Sequence, residues 1–350
     1  MGTTCVAVLP GYSGRVRTGV VLGGGGLVGI SYHGGVLKAL DLLGLTPGTS
    51  DVIVGTSAGA LVAAYLGAGY PADAFFEYSH GRRDAVTPSA ESGSDGPLFT
   101  PMWKSRPELM RRAVGSVVAV ASASGHWPSA LDGRLPRARL EALFPFGMYS
   151  IEDTKNRLEQ DLPDAWPRDD LLICTADLRS GQRRAFNSSD GPGVSFIDAV
   201  LASVAIPGFF PPVAIGERCY VDSGIVSATS LDLAVAAGCE AILCIVPLGY
   251  RPDEVVTKRD PKVWPAMILR TYFTRLLDRA LEDARARGVQ VLVVEPSLAE
   301  LKAHGANSMR AHDYAGVAEA ACEGTLKLLE EHDGHPALAG LQRSALNAEV

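Results

Sequence analysis

A serine at position 57 is the first candidate for chemistry, because it stands inside the pattern Gly55-Thr56-Ser57-Ala58-Gly59. The pattern follows an apolar strand-like run and precedes an apolar helix-like run, which is the context that a nucleophile elbow requires. Gly55 and Gly59 permit close packing of a strained turn, and the start of a helix favours developing negative charge. The residues therefore predict a serine nucleophile, with a small-residue turn of purely structural role as the alternative.

Four consecutive glycines, Gly23 to Gly26, precede another helical pattern, and Gly29 follows shortly after them. Backbone N–H groups in such a loop can bind an anion. Gly24, Gly26 and Gly29 also match the G-x-G-x-x-G pattern of dinucleotide-binding loops, but that site needs an acidic residue about 20 residues further on, after the next strand. The next strand instead runs into the serine turn, so an oxyanion hole beside Ser57 is favoured.

A nucleophilic serine also needs a base, and the sequence offers a carboxylate more readily than a histidine. Asp222 lies in Tyr220-Val221-Asp222-Ser223-Gly224, at the end of an apolar stretch and directly before a turn. We therefore expect it at the same sheet edge as Ser57. Among the histidines, His33 follows the glycine loop and is interpreted as a helix-start or packing residue. Taken alone, an Asp-Ser-Gly turn more often has a structural role.

These residues require a framework that places strand ends side by side, and the apolar runs predict one. Five β-branched runs bounded by turn residues suit strands covered on both faces: Gly19–Leu22, Asp51–Val54, Leu171–Thr175, Ala241–Val246 and Val289–Val294. Helical patterns lie between them, and the pattern from Ile268 to Leu281 has a charged opposite face and is followed by Gly288. We expect a three-layer α/β/α sandwich with a mostly parallel central sheet.

The composition is that of a globular protein. Of the 350 residues, 47% are hydrophobic and 20% charged, without a repeat, which excludes disordered chains, collagen and coiled coils. The formal net charge of −7 argues against nucleic-acid binding. Six cysteines without a CxxC pair indicate reduced thiols, no metal site and a cytoplasmic location. The uncharged segment Val52–Tyr70 includes four glycines and is interpreted as strand, turn and helix of a soluble protein, not as a membrane span.

Taken in order, these motifs resemble those of the patatin-like phospholipases, a family of lipid acyl hydrolases that use a Ser-Asp dyad. The resemblance covers roughly Gly19 to Glu323. It rests on the glycine loop with Gly34-Gly35-Val36-Leu37 after it, the turn around Ser57, the Ala202–Pro212 segment and the turn at Asp222. A patatin-like fold and cleavage of fatty-acyl esters, of phospholipase A or esterase type, are what the resemblance implies, with a lipid as substrate and without a cofactor.

The resemblance also implies roles for individual residues, with Ser57 as the nucleophile and Asp222 as its base. The other residues assigned in this way are the oxyanion-hole glycines Gly24, Gly25 and Gly26, the motif glycines Gly29, Gly55, Gly59 and Gly224, and the acyl-pocket candidates Phe209 and Phe210. Two positions depart from the family pattern. Val28 stands where an Arg or Lys is usual, and Ser223 stands where Gly is usual. The serine preserves the base if the turn needs no positive φ at 223.

The expected domain organisation is an N-terminal extension over 1–17, a patatin-like catalytic domain over 18–330 and a C-terminal tail over 331–350. Residues 81–138 interrupt the strand–helix rhythm and are interpreted either as a variable helical or loop insertion or as a lid. Between Arg82 and Arg139 the sequence carries nine Lys or Arg against five Asp or Glu. Such a segment can lie peripherally on an anionic membrane surface. A solvated loop with one buried helix is the favoured alternative.

Two other functions remain compatible with the sequence. An α/β-hydrolase would complete a triad from Ser57, Asp222 and either His304 or His312, in the chain order of that fold. A non-catalytic lipid-binding or regulatory protein would keep the scaffold without turnover, and the absence of a cation at Val28 makes that conceivable. A nucleotide-binding module is a third and weaker alternative.

Overall fold

The computed structural model describes residues 16–82, 99–123, 145–191, 193–250, 264–305, 307–309 and 313–341. The strands are β1 (Thr18–Leu22), β2 (Val52–Thr56), β3 (Leu171–Asp177), β4 (Arg183–Phe186), β5 (Val213–Ile215), β6 (Arg218–Asp222), β7 (Ala241–Ile245) and β8 (Gln290–Val294). The α-helices are α1 (Gly26–Leu42), α2 (Ala58–Gly67), α3 (Ala74–Ser79), α4 (Arg106–Ala123), α5 (Glu152–Asp161), α6 (Phe196–Val204), α7 (Leu231–Ala236), α8 (Trp264–Ala286), α9 (Leu298–His304) and α10 (Tyr314–Glu331).

The strands form one sheet in the order β5-β6-β3-β2-β1-β7-β8, and β4 also pairs with β3. The five strands predicted from the apolar runs are β1, β2, β3, β7 and β8, and these pair in parallel, which confirms the mostly parallel sheet. The pattern does not predict β4, β5 and β6, which pair antiparallel beside β3. These strands are three to five residues long and mix exposed with buried residues, so they lack a continuous apolar run.

Helices cover both faces of the sheet, which confirms the three-layer prediction. Alternate residues of a strand point to opposite sides of the sheet. Val20 and Leu22 of β1 therefore pack with α1 and α2, whereas Val21 packs with α7 and α8. The helix α10 lies along α1, where Gly35 permits a close approach. A Cβ added at Gly35 would lie only 2.1 Å from the carbonyl oxygen of Ala318.

The strand register brings two candidate site residues to one level. Thr56, the last residue of β2, is level with Cys174 of β3. The strand β3 continues past that point, and its next residue, Thr175, is level with Asp222 at the end of the antiparallel β6. Ser57, which follows Thr56, therefore leaves the sheet at the same level as Asp222, although their strands run in opposite directions.

The helix α4 makes up most of the described part of the expected insertion, of which 83–98 and 124–138 lie outside the described residues. It is held against the chain near Gly208, because the Ser116 hydroxyl donates to the Gly208 carbonyl oxygen at 2.8 Å. The Arg112 guanidinium donates to the Gly147 carbonyl oxygen at 3.1 Å. On its other side α4 exposes apolar side chains, so this helix is only partly buried, whereas the favoured alternative expected one buried helix.

The chain ends of the expected domain organisation are described only in part. Residues 1–15 of the expected extension and 342–350 of the expected tail lie outside the described residues. Residues 336–341 are helical, and Leu341 is completely buried in the main core, so the packed part of the protein continues at least to this residue. Within the described ranges, no helix combines the length and the apolar character that a membrane span requires.

Candidate active site

Ser57 occupies a sharp turn between β2 and α2, with φ 57° and ψ −123°. A non-glycine residue with positive φ is uncommon and strained. Small neighbours make the turn possible, since a Cβ at Gly55 would lie 2.5 Å from the Ala60 Cα and one at Gly59 would lie 2.0 Å from the Leu22 carbonyl oxygen. These glycines therefore allow the serine turn to pack directly against β1 and α2.

Ser203 in α6 holds the backbone of this turn. Its hydroxyl accepts a hydrogen bond from the Ser57 N–H at 3.0 Å and donates one to the Cys174 carbonyl oxygen at 2.6 Å. It thereby ties the turn to β3. The sequence alone assigns Ser203 no role, and its one signal there is a serine near the end of a mostly apolar helical pattern.

Asp222 faces Ser57 at the end of β6. The Ser57 hydroxyl acts on its carboxylate closely enough to lower the pKa of that group, and the Gly224 N–H donates to its Oδ1 at 2.7 Å. Both residues are nearly closed to solvent, with 5% of Ser57 and 6% of Asp222 exposed. Burial raises the pKa of Asp222 to about 6, against the opposing effect of the Ser57 hydroxyl and the Gly224 N–H. Such a carboxylate is a stronger base than an exposed one and is still mostly ionised at pH 7.

The turn after Asp222 accommodates the serine at 223. Positive φ among described non-glycine residues occurs at Ser57 and Ser230, and not at Ser223. The turn therefore needs no positive φ at 223, and serine fits there in place of the family's usual glycine. Ser223 is completely buried, and its hydroxyl has no hydrogen-bond partner among the described residues.

The glycine loop between β1 and α1 lies beside the serine, since a Cβ at Gly24 would be 3.3 Å from the Ser57 Cβ. The Gly24 N–H donates to the Ala228 carbonyl oxygen at 2.8 Å, so this amide, contrary to expectation, is not free to bind an oxyanion. The N–H groups of Gly25 and Gly26 have no acceptor within the described part of the chain. Gly26 has φ 62°, and a Cβ there would meet a backbone oxygen at 2.7 Å, so only glycine fits.

The first turn of α1 carries no charge. Val28, at the position where an Arg or Lys is usual in the family, is buried in the core, and its N–H donates to the Ser308 carbonyl oxygen at 3.0 Å. Gly29 lies between two neighbours, because a Cβ there would contact the Ala58 Cβ at 3.4 Å and the Pro247 Cβ at 3.5 Å. The loop thus presents backbone N–H groups and no cationic side chain to the site.

His33 supports the glycine loop from within α1, where it is completely buried. Its Nε2 lies 2.8 Å from the Gly23 carbonyl oxygen. Burial lowers the pKa of His33 to about 4, so the ring is neutral at pH 7 and its Nε2–H donates to that carbonyl. His33 is therefore a packing residue, as expected. It also hydrogen-bonds to the glycine loop, which the sequence does not predict.

His304 is engaged elsewhere. Its Nδ1 accepts a hydrogen bond from the Arg270 guanidinium at 2.9 Å, and burial lowers its pKa to about 3. No histidine is among the described hydrogen-bond partners of Asp222, so the triad with His304 is not formed. His312, the other histidine of that alternative, lies outside the described residues.

A cavity of about 350 Å³ opens beside Ser57. Its lining is mostly apolar or aromatic and comes from α1, α2, α3 and α5, including Leu27, Ile30, Leu61, Tyr65, Phe75 and Leu158. Phe210 lines this cavity, whereas Phe209 does not. Phe209 packs against Tyr149 and Phe99, with ring centroids 4.4 and 4.8 Å apart. The expected pair of pocket residues is therefore divided between the cavity and an aromatic cluster beside it.

A family model described as patatin-like phospholipase matches residues 20–235, more than half of the chain. No curated protein sequence shows significant similarity to the chain. Several solved structures are similar at low identity. The crystal structure of VipD from Legionella pneumophila is 16% identical, with 91% of this chain and 67% of that chain covered and a TM-score of 0.44.

Two further similar structures contain ExoU. The type III effector protein ExoU is 16% identical, with 95% of this chain and 54% of that chain covered and a TM-score of 0.34. The ExoU–SpcU heterodimeric complex from the type III secretion system of Pseudomonas aeruginosa gives 20% identity, 91% and 52% coverage and a TM-score of 0.34. The chain thus spans about two thirds of the VipD chain and about half of the ExoU chains.

Proposed function

This chain belongs to the patatin-like phospholipase family, and from that premise we propose that it is a serine lipid acyl hydrolase of phospholipase A or esterase type. The family supports hydrolysis of lipid acyl esters in general. The observation that carries the finer proposal is the placement of buried Ser57 at the level of buried Asp222, beside an apolar cavity. The cavity takes the acyl chain, and the ester carbonyl lies at the serine.

In the acylation step, the Ser57 Oγ attacks the ester carbonyl carbon while its proton passes to the Asp222 carboxylate. Negative charge develops on the carbonyl oxygen, which the free N–H groups of Gly25 and Gly26 stabilise. The tetrahedral intermediate then expels the alcohol part of the lipid, which takes the proton back from Asp222. The fatty acyl group remains as an ester on Ser57.

In the deacylation step, water attacks the acyl ester and gives a proton to the Asp222 carboxylate. The second tetrahedral intermediate uses the same two amides. Its collapse returns the proton from Asp222 to the Ser57 Oγ and releases a fatty acid. The raised pKa of Asp222 suits both directions of transfer, because a group with a pKa near the working pH can accept and return a proton.

Labelling and kinetics test the proposal together. A fluorophosphonate probe should label the wild type and not Ser57→Ala, and Ser57→Ala and Asp222→Asn should each lose lipid hydrolysis. Ser50→Ala is the matched control, since this buried serine bonds to the Val52 carbonyl oxygen at the other end of β2 and should leave turnover intact. Labelling absent from a folded wild type would favour the non-catalytic alternative.

The histidine alternative has its own test. His304→Gln and His312→Ala should retain turnover, because the proton acceptor proposed here is the Asp222 carboxylate. Loss of turnover in either folded variant, measured with the same lipid, would replace the dyad with a triad.

We also propose that α4 meets the lipid surface. It exposes four apolar side chains, 71% of Met110, 47% of Val114, 70% of Val117 and 41% of Val120. Lys104, Arg106 and Arg111 are exposed at the same helix and just before it. Apolar side chains flanked by cations favour binding to an anionic membrane surface.

A further inference from the structure

One charged side chain, Arg157 of α5, belongs to the described lining of the cavity at Ser57. Thr154 and Leu158 line the same cavity. The spacing of these three residues, i, i+3 and i+4, places them on one face of the helix. Arg157 therefore lies on the cavity side of α5, and it is exposed there, at the edge of the cavity.

The carboxylates within one turn of Arg157 accept hydrogen bonds from other side chains, and the charge of Arg157 acts on Asp161 only at longer range, where it opposes the rise that burial causes in the Asp161 pKa. Asp161 accepts a hydrogen bond from the Tyr65 hydroxyl at 2.8 Å, and Asp153 accepts one from the Thr100 hydroxyl at 3.0 Å. Within the described ranges, Arg157 makes no ion pair shorter than 4 Å. The guanidinium thus remains available to an anion that enters the cavity.

Among its described residues, the rest of the site supplies no competing cation. The glycine loop has the buried Val28 where family members usually carry Arg or Lys. The other described lining residues of the cavity are uncharged. A guanidinium binds phosphate or carboxylate oxygens through paired N–H donors, and apolar surroundings strengthen that attraction.

We propose that Arg157 binds the phosphate of a phospholipid substrate and so determines specificity for anionic phospholipids over neutral glycerides. This rests on the proposed hydrolase function and names the substrate class of that same site. The acyl chain occupies the apolar part of the cavity, and the phosphodiester lies at its edge beside α5. A lipid without an anionic group fills the cavity equally well but leaves the guanidinium unpaired.

The test compares Arg157→Gln with the wild type on phosphatidylglycerol and on diacylglycerol of the same acyl chains, in mixed micelles with a neutral detergent. We expect kcat/KM for phosphatidylglycerol to fall by roughly 10- to 100-fold, mainly through KM, as for loss of a hydrogen bond to a charged group. Hydrolysis of diacylglycerol should change by no more than about twofold. An equal loss on both lipids, or none on either, would overturn the proposal.

The matched control is Lys155→Gln, which removes the same charge from the same helix. Lys155 pairs with Glu159 at 3.9 Å and is not a lining residue of the cavity, so both activities should stay within about twofold of the wild type. A phosphatidylglycerol loss in this variant as large as in Arg157→Gln would assign the effect to general charge and not to the cavity.

Two further arms separate the alternatives. Inhibition by a free fatty acid should be little changed in Arg157→Gln; weaker inhibition with unchanged phosphatidylglycerol kinetics would identify a product carboxylate as the ligand and overturn the phosphate assignment. Calorimetry of dihexanoyl phosphatidylglycerol binding to Ser57→Ala, with and without Arg157→Gln, measures the contribution of Arg157 to lipid affinity in the absence of turnover. If the wild type hydrolysed neither lipid, the hydrolase proposal would fail, while this binding measurement would still decide the role of Arg157.

Discussion

The substitution Asp222→Asn should abolish turnover and at the same time stabilise the protein at neutral and alkaline pH. Burial of Asp222 raises its pKa from an ordinary 3.8 to about 6, so the folded state holds its proton over a pH range in which the unfolded chain has lost it. The difference between the two values corresponds to about 3 kcal/mol, at 1.36 kcal/mol for each tenfold change. Asparagine carries no charge and avoids this cost while keeping an oxygen acceptor for the Gly224 N–H.

The sign of the effect follows from linkage. Because the folded pKa is the higher one, the stability contributed by protonated Asp222 is fully present below pH 3.8 and is lost as pH rises through about 6. The free energy of unfolding of Asp222→Asn minus that of the wild type should therefore be constant below pH 3.8. It should grow by up to about 3 kcal/mol between pH 4 and pH 6, and level off above that.

Urea denaturation of both proteins from pH 3.5 to pH 8 measures this difference, and hydrolysis of a lipid ester measures the loss of turnover. Asp177→Asn is the control of opposite sign. Burial alone would raise the pKa of Asp177, but hydrogen bonds from the Ser180 N–H and Arg218 outweigh it and lower the pKa, so this variant should lose stability at neutral pH. A pH-independent difference for Asp222→Asn would show that its carboxylate is not buried as described and would remove the reason for its strength as a base.

Three other outcomes are expected. The kcat/KM for a soluble ester should rise with pH through about 6 and then level off, because Asp222 must be ionised to accept the proton; a rise centred near pH 4 would contradict this. Ser203→Ala leaves the Ser57 N–H without its acceptor and should lower the free energy of unfolding by about 1–3 kcal/mol and kcat by roughly tenfold; unchanged kcat and urea midpoint would show that the turn holds without it. Val117→Asp on the exposed side of α4 should weaken co-sedimentation with anionic vesicles and leave hydrolysis of a soluble ester intact; undiminished co-sedimentation would place the lipid contact elsewhere.

The amino-acid sequence alone determined the parallel part of the sheet and the serine turn. The strands β1, β2, β3 and β7 are buried almost throughout, and the edge strand β8 is at least half-buried beyond Gln290, so each carries a continuous apolar run that is readable without knowledge of its neighbours. The turn at Ser57 depends on small residues two positions away on either side, which the pattern states directly. The parallel strands depend on burial and the serine turn on residues close along the chain. Both can therefore be predicted from the sequence.

Only the tertiary structure decided how the other groups meet. Asp222 ends a short strand whose antiparallel pairing the sequence does not predict, and it reaches the level of Ser57 because β3 extends past β2 to pair with that strand. The Gly24 amide bonds to Ala228, about two hundred residues further along the chain, which leaves the neighbouring glycines as the free donors. Ser203 likewise acts on a distant turn. Packing and strand register determine which distant residues become hydrogen-bond or strand partners. The spacing of residues in the sequence carries no information about either.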